Sequence, residues 1–379
     1  MQPDPQIFSG RLALQQRVLP AYRAPFFDLL AQSCDGGLSV FAGQPLPVEG
    51  IASAVSLIHA EFNVACNRHF SDPSTKFYLC WQDGVVDWLE KTNPDALIVE
   101  ANPRYWSNRL AIRWMKKRGR PVLGWGLGAP PVNGFLSPLR RRSRLGYLQS
   151  LDGILAYSQK GATEYRGLGL HSLRSLCSER VFVAANSVMP PPDFEFPIRP
   201  AQFSGQPTVL FVGRLQARKR IEILLTACAA LPENLQPRLI IVGDGPARDE
   251  FESQAARIYP HAEFTGARHG AELEPYFRQA DLFALPGTGG LAVQQAMSYG
   301  LPVIVAKGDG TQDDLVRPAS GWQVAPGDQA AFNAAVLEAL GDINRLRKMG
   351  AESFRIARDE INLEQMVATF VDALNAIRK

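Results

Sequence analysis

Short apolar segments alternate with amphipathic helical stretches from one end of this chain to the other, and that alternation constrains the fold more than any single motif. A short apolar run bounded by turns reads as a strand covered on both faces, and a helical stretch between two such runs returns the chain to start the next strand parallel to the last. The fold class is therefore α/β, with doubly wound parallel sheets. In the first half, Leu12 to Leu19, Leu38 to Ala42, Ala96 to Glu100, Pro121 to Leu123, Gly153 to Tyr157 and Val181 to Ala184 read as strands, with helices over Pro25 to Gln32 and Ser107 to Arg118. A second series has strands Thr208 to Val212, Leu239 to Val242, Leu282 to Leu285 and Val303 to Ala306, and helices Ile221 to Leu231 and Ala247 to Ile258.

At 379 residues the chain exceeds what one hydrophobic core sustains, so two domains with a cleft between them are expected. Periodicity vanishes in the proline-rich stretch after Val188, and 191–207 reads as a linker between a first domain, 1–190, and a second, 208–361. Leu346 to Ile377 is helical with a break near Ile361-Asn362, and 362–379 could cross back to the first domain. With 46% hydrophobic and 20% charged residues, disordered, collagen-like and coiled-coil classes are excluded. The start, Met1 to Pro5, is polar, and no apolar run approaches a spanning length, so neither a signal peptide nor a transmembrane helix is expected and the location reads as cytoplasmic. Five scattered cysteines (Cys34, Cys66, Cys80, Cys177, Cys228) read as small buried apolar residues, and no Cys or His spacing calls for a metal. The surplus of cations lies in residues 1–190, with 21 Lys/Arg against 14 Asp/Glu.

Ligands of open parallel sheets bind outside the carboxyl ends of strands, so the loops that follow strands carry the chemistry. Gly213 to Arg220 places several cations between a strand end and a helix start, a site suited to a diphosphate or, failing that, a solvated basic turn. In Gly243-Asp244-Gly245-Pro246 the glycines allow a tight turn, and Asp244 could be a helix cap. Pro286-Gly287-Thr288-Gly289-Gly290 opens the helix from Leu291; its glycines either present N–H groups to a phosphate or permit close packing, and Gln295 lies one turn in. Gly308 to Asp314 reads as a turn with a capping box of Thr311 and Asp314. Gly124 to Gly128 runs into Ala129-Pro130-Pro131, which excludes a dinucleotide-binding fingerprint. In the first domain, Arg23, Asn102 and Arg104 follow strands and are either cleft residues or loop braces.

The order of these motifs resembles the retaining glycosyltransferases of family 4, which have the GT-B fold of two Rossmann-like domains facing a central cleft. Gly213-Arg214 with Lys219 is similar to that family's G-R-x-x-x-x-K element, Val242 to Pro246 to its V-G-x-G-P turn, and Phe264-Thr265-Gly266 to the F-x-G segment beside the nucleotide base. Gly290-Leu291 to Val303 is similar to its F-G-L…E-A-M-A-x-G-x-P-V stretch, and Ala156 to Ser158 with Val181 to Asn186 resemble its first-domain closing elements. Two departures stand out. The family's pair of glutamates falls on Gly287, where relatives touch the donor sugar, and on Gln295, where they touch the ribose; Leu127 stands where relatives often have histidine.

The resemblance implies transfer of a sugar from a nucleoside diphosphate sugar to a hydroxyl acceptor with retention of configuration, in surface polysaccharide or glycolipid synthesis, without a metal, a resident cofactor or nucleic acid. It assigns charge stabilisation to Arg214 and Lys219. Donor binding falls to Gly213, Gly243, Gly245, Phe264, Gly266, Gly287, Thr288, Gly289, Gly290, Leu291 and Gln295, and Arg23, Asn102, Trp125 and Gly126 are read as cleft residues or as residues facing a sugar or lipid-linked acceptor. The basic clusters Lys116 to Arg120 and Arg140 to Arg144 are candidates for contact with an anionic membrane, or are solvated faces. A catalytically silent nucleotide-sugar-binding protein and a GT-B sugar-nucleotide epimerase are the alternatives.

Overall fold

A computed structural model describes residues 7–73, 75, 77–132, 134, 136–168, 180–289, 291–308 and 310–378. The chain divides into two compact units, Met1–Val188 with Leu363–Lys379, and Met189–Asn362.

The first unit runs through β1 (Leu12–Val18), α1 (Ala24–Gln32), β2 (Leu38–Gly43), β3 (Glu61–Val64), β4 (Cys66–Phe70), β5 (Leu79–Asp83), α2 (Val85–Thr92), β6 (Ala96–Glu100), α3 (Asn108–Lys117), β7 (Val122–Gly126), α4 (Ser137–Leu148), β8 (Gly153–Ala156), α5 (Gln159–Arg166) and β9 (Val181–Val183). Seven strands form one parallel sheet in the order β3-β2-β1-β6-β7-β8-β9. The order reverses beside β1, which opens a crevice between the carboxyl ends of β1 and β6. Strands β4 and β5 stand apart as an antiparallel pair that the apolar pattern did not reveal. Neither is an unbroken buried run, since β4 alternates between exposed and half-buried positions and β5 between half-buried and buried ones, and Cys66 takes an exposed position of β4, contrary to the expectation of a buried thiol. Cys34, Cys80 and Cys228 are buried, and Cys177 lies outside the described residues.

The second unit runs through β10 (Thr208–Val212), α6 (Ile221–Ala229), β11 (Arg238–Val242), α7 (Arg248–Ile258), β12 (Glu263–Phe264), α8 (Glu274–Gln279), β13 (Leu282–Leu285), α9 (Leu291–Ser298), β14 (Val303–Ala306), α10 (Thr311–Leu315), β15 (Gly321–Val324), α11 (Gln329–Gly341) and α12 (Ile343–Arg355). Its parallel sheet has the order β12-β11-β10-β13-β14-β15. The central strands are buried almost throughout, as their unbroken Val, Ile, Leu and Phe runs require of a sheet covered on both faces. After a π-helical turn at Ile356–Glu360 the chain enters α13 (Leu363–Ile377), which belongs to the first unit. There Phe370 meets Phe26 and Trp125 at ring-centroid separations of 4.9 and 5.0 Å.

The proline-rich stretch read as a linker is instead packed into the second unit. Arg199 donates to the carbonyls of Ala280, Tyr299, Gly300 and Phe277 at 2.9 to 3.1 Å, and Phe194 and Phe196 lie against Tyr299 and Phe354. Burial beside Arg347 pushes the Arg199 guanidinium down to about 10. Prolines without helix or strand marked the segment as irregular, but irregular backbone anchored by one guanidinium is not a free tether.

Candidate functional site

In the second unit the strand order reverses at β10, placing a crevice between the carboxyl ends of β10 and β13. The turn after β10 carries Gly213, Arg214, Arg218 and Lys219; the loop after β13 carries Gly287, Thr288 and Gly289 and leads into α9. The two are interlocked. Thr288 N–H donates to Arg218 O at 3.1 Å, and Lys219 Nζ donates to Thr288 O at 2.8 Å. A methyl group at 287 would lie 2.5 Å from Lys219 Cα and closer still to Arg218 O, so only glycine lets the backbones approach this far. At Gly289, with φ +107°, a methyl group would sit 2.6 Å from Lys219 Nζ.

The turn after β11 adds a third layer. Gly243 has φ +146° and no room for a side chain against Gly213 O, and its N–H donates to Gly266 O at 2.9 Å. Gly245, at φ +158°, is equally constrained by Leu215 O, so these glycines stack the three turns. Asp244 does not cap α7, whose cap residue is Ala247; it accepts from Gly245 N–H at 2.6 Å and pairs with Arg248 at 3.3 Å. Phe264, in β12, is half-buried beside Gly266.

Lys219 is 8% exposed, and burial, with Arg218 nearby, pushes its ammonium down to about 8. Arg214 is exposed at the start of the turn, and Leu291 is the exposed first residue of α9, whose N–H groups favour an anion. Gln295 is half-buried one turn on, whereas Gln294 points inward and donates to Ile361 O at 2.8 Å. Gly290 lies outside the described residues. The 308–314 loop departs from the expected capping box: the cap position is Gly310, with φ +101°, and buried Gln312 reaches out to donate to Gly289 O at 2.7 Å. A polar residue on a short helix gave no signal of this; Gln312 and Arg218 are the residues here that motif reading missed.

At the switch point of the first unit the structure corrects the acceptor-side residues. Arg23 is buried: it donates to Ser187 O at 3.3 Å and to Asn186 Oδ1, and lies over Trp125 and Tyr157, so its charge is engaged within the unit. Trp125 is 1% exposed, a core side chain in the aromatic cluster. Gly126, half-buried, is spare of a side chain because Tyr165 and Ala101 occupy the space. Asn102 braces its loop by accepting from Arg104 N–H at 3.2 Å.

Glu100 is the residue that position alone did not single out. It ends β6 beside β1, accepting Arg17 N–H at 2.5 Å, while the Arg17 guanidinium grips Glu49 at 2.6 and 2.9 Å. Burial pushes its carboxyl up to about 7, against the pull of that N–H and of the Arg17 charge. A carboxyl with a raised folded pKa keeps its proton where the unfolded chain, titrating near 4.5, has lost it. Stability is therefore lost as pH rises from about 4.5 to about 7. Glu100→Gln removes this dependence, so between pH 5 and pH 8 wild type should lose about 2 kcal/mol relative to the variant in urea melts. Parallel curves would show that Glu100 ionises normally.

The two basic clusters differ. Lys116 pairs with Asp152, Arg118 stacks on Trp114 at 3.7 Å, and Arg120 donates to Asn93 and Pro94, so these cations are spent within the unit. On α4, by contrast, Arg141 and Arg142 are exposed beside exposed Leu136 and Leu139. Among the described residues no helix is long and apolar enough to cross a membrane, and no three His, Cys, Asp or Glu side chains group as metal ligands.

Two Rossmann-like units, the second with glycine-lined turns meeting at its switch point, define a doubly wound α/β scaffold. The whole chain is similar to Anabaena HepE solved with UDP, with a TM-score of 0.69 and 17% identity over 97% of this chain and 99% of that one; the fold is GT-B. Residues 194–355, within the second unit, match the family described as "Glycosyl transferases group 1". A sulfoquinovosyl transferase of Arabidopsis thaliana is 35% identical over 129 residues, 32% of this chain and 24% of that protein. A GDP-mannose-dependent alpha-mannosyltransferase of Mycolicibacterium smegmatis is 34% identical over 166 residues, 41% of this chain and 42% of that protein. The matches thus span less than half the length of these curated relatives.

Proposed function

We propose that this chain is a retaining glycosyltransferase that moves a sugar from a nucleoside diphosphate sugar to a hydroxyl of a sugar or lipid-linked acceptor, in surface polysaccharide or glycolipid synthesis. The observation that carries this reading is the interlock of the Gly213 to Lys219 turn with the Gly287 to Gly289 loop, which gathers cations and helix N–H groups at one sheet crevice. In the reaction the bond from the anomeric carbon to the diphosphate oxygen breaks, and its electron pair leaves with the nucleoside diphosphate. The acceptor oxygen bonds to that carbon on the face just vacated, and its proton passes to the departing phosphate oxygen. Arg214, Lys219 and the N–H groups of Gly289 and Leu291 stabilise the charge that develops there. Glycine turns at 213, 243, 245 and 266 let the nucleotide approach backbone, with Phe264 beside the base and Gln295 toward the ribose. The reaction needs no metal in this scheme, because cations and amides carry the charge.

The relatives that act on GDP-mannose or transfer sulfoquinovose support a nucleotide sugar as donor. The exposed arginines of α4, with exposed Leu136 and Leu139 at its start, support a reading of the protein as cytoplasmic with peripheral contact at an anionic membrane face. Screening UDP and GDP sugars for thermal stabilisation tests the donor, since a ligand at 100 times its dissociation constant adds about 2.7 kcal/mol. Sugar release to an added acceptor then tests transfer. Binding without turnover across a broad acceptor panel would leave a silent nucleotide-sugar-binding protein, and conversion of the donor with no acceptor present would leave an epimerase.

A further inference from the structure

Two cations converge on one carbonyl in the second unit. Lys219 Nζ and Arg218 Nη1 both donate to Thr288 O, at 2.8 and 3.4 Å, and Arg218 Nη1 reaches Thr288 Oγ1 at 3.2 Å. Arg218 Nε donates to Gln216 Oε1 at 2.9 Å. Among the described residues every acceptor these two side chains use is thus neutral. Their neighbours are treated differently: Arg220 has Glu222, and Arg248 has Glu252 and Asp244.

Two like charges sharing a neutral acceptor repel each other, and at Lys219 that repulsion adds to the larger effect of burial in favouring the neutral amine. An arriving anion relieves that repulsion. The diphosphate of a nucleotide sugar brings two negative charges, one on each phosphate, and in the proposed reaction Arg214 and Lys219 match them. Arg218 is then a third cation. It is exposed, its Nη2 donates to no group among the described residues, and Gly287 and Gly289 interpose no side chain beside it.

Resting on the donor-site reading above, we propose that the transferred sugar carries a carboxylate, a uronosyl group, and that Arg218 recognises it. A guanidinium edge meets a planar carboxylate with directed, charge-assisted hydrogen bonds, which a neutral hydroxymethyl group at the same position cannot return. Arg218 is thereby a specificity residue, distinct from the cations that face the leaving diphosphate.

The test is calorimetric binding of matched donor pairs, UDP-glucuronate with UDP-glucose and GDP-mannuronate with GDP-mannose, to the full chain and to Arg218→Gln and Arg218→Lys. In wild type the uronate of the accepted pair should bind about tenfold more tightly than its neutral partner. The ratio should fall to about one in Arg218→Gln and be partly kept in Arg218→Lys. If Arg218 merely braces the Thr288 loop, Arg218→Gln weakens both members equally and the ratio persists, which overturns the proposal. Equal affinities in wild type overturn it without any variant. Failure of all four donors while UDP or GDP still binds overturns the proposal but leaves a nucleotide site, whereas failure of UDP and GDP as well removes the donor-site reading and the proposal together.

Discussion

Arg214→Ala should lower turnover by about 10² to 10³ while weakening donor binding far less. The side chain is exposed at the start of the turn after β10, so the fold does not depend on its burial. Its charge matters most when the glycosidic bond has broken and the leaving diphosphate holds an additional negative charge. An interaction that strengthens only in the transition state lowers kcat and kcat/KM together when it is lost. Steady-state kinetics with the accepted donor, beside calorimetric affinity for the matching nucleoside diphosphate, separates the two effects. A folded Arg214→Ala protein with wild-type turnover removes Arg214 from the reaction; one whose affinity falls as much as its rate makes it a binding residue only.

The second large effect is expected at Gly287. Restoring the family's glutamate there looks like a repair, yet a Cβ at 287 would lie 2.5 Å from Lys219 Cα and nearer to Arg218 O. Those are backbone atoms of a turn fixed by Lys219 N–H donating to Gln216 O at 2.8 Å and by the Lys219 bond to Thr288 O, so they cannot swing aside as a side-chain tip does. Gly287→Ala should therefore cost about 2 kcal/mol in urea melts, within the range of overpacked cores. By prising apart the two loops it should also reduce nucleoside diphosphate affinity, and Gly287→Glu should do no better. Full stability with unchanged nucleotide binding in Gly287→Ala would mean that the turns are not held together through this glycine.

Much of the scaffold was legible because it is written in local periods. Strands such as Leu282–Leu285 and Val303–Ala306 are unbroken apolar runs, and a buried parallel strand needs nothing more to be recognised. The glycine and cation positions at 213, 214, 219, 243, 245 and 287 were equally readable, since a strand end followed at once by a helix start needs a turn of that chemistry. The pair β4 and β5 was not legible: neither strand is continuously buried, and its pairing partner lies outside the main sheet. Trp125 and Arg23 were placed by sequence on the acceptor side because they follow strands, but direction of a side chain depends on what packs against it. An aromatic cluster built from α1, β7 and α13 takes the first inward, and Asn186 with Ser187 holds the second.

The α/β class, the two series of strands and the residues available at each strand end follow from backbone sterics and apolar spacing within a few residues, and so are readable from the chain alone. Only the folded molecule shows which turns meet, that burial raises the Glu100 carboxyl, that Arg218 and Lys219 share one carbonyl, and that backbone atoms fill the space a Cβ would need at Gly287, where the resembled family has glutamate. Each of those depends on atoms tens of residues apart in the chain, where desolvation, charge and excluded volume act through distance in space and leave no period in the sequence.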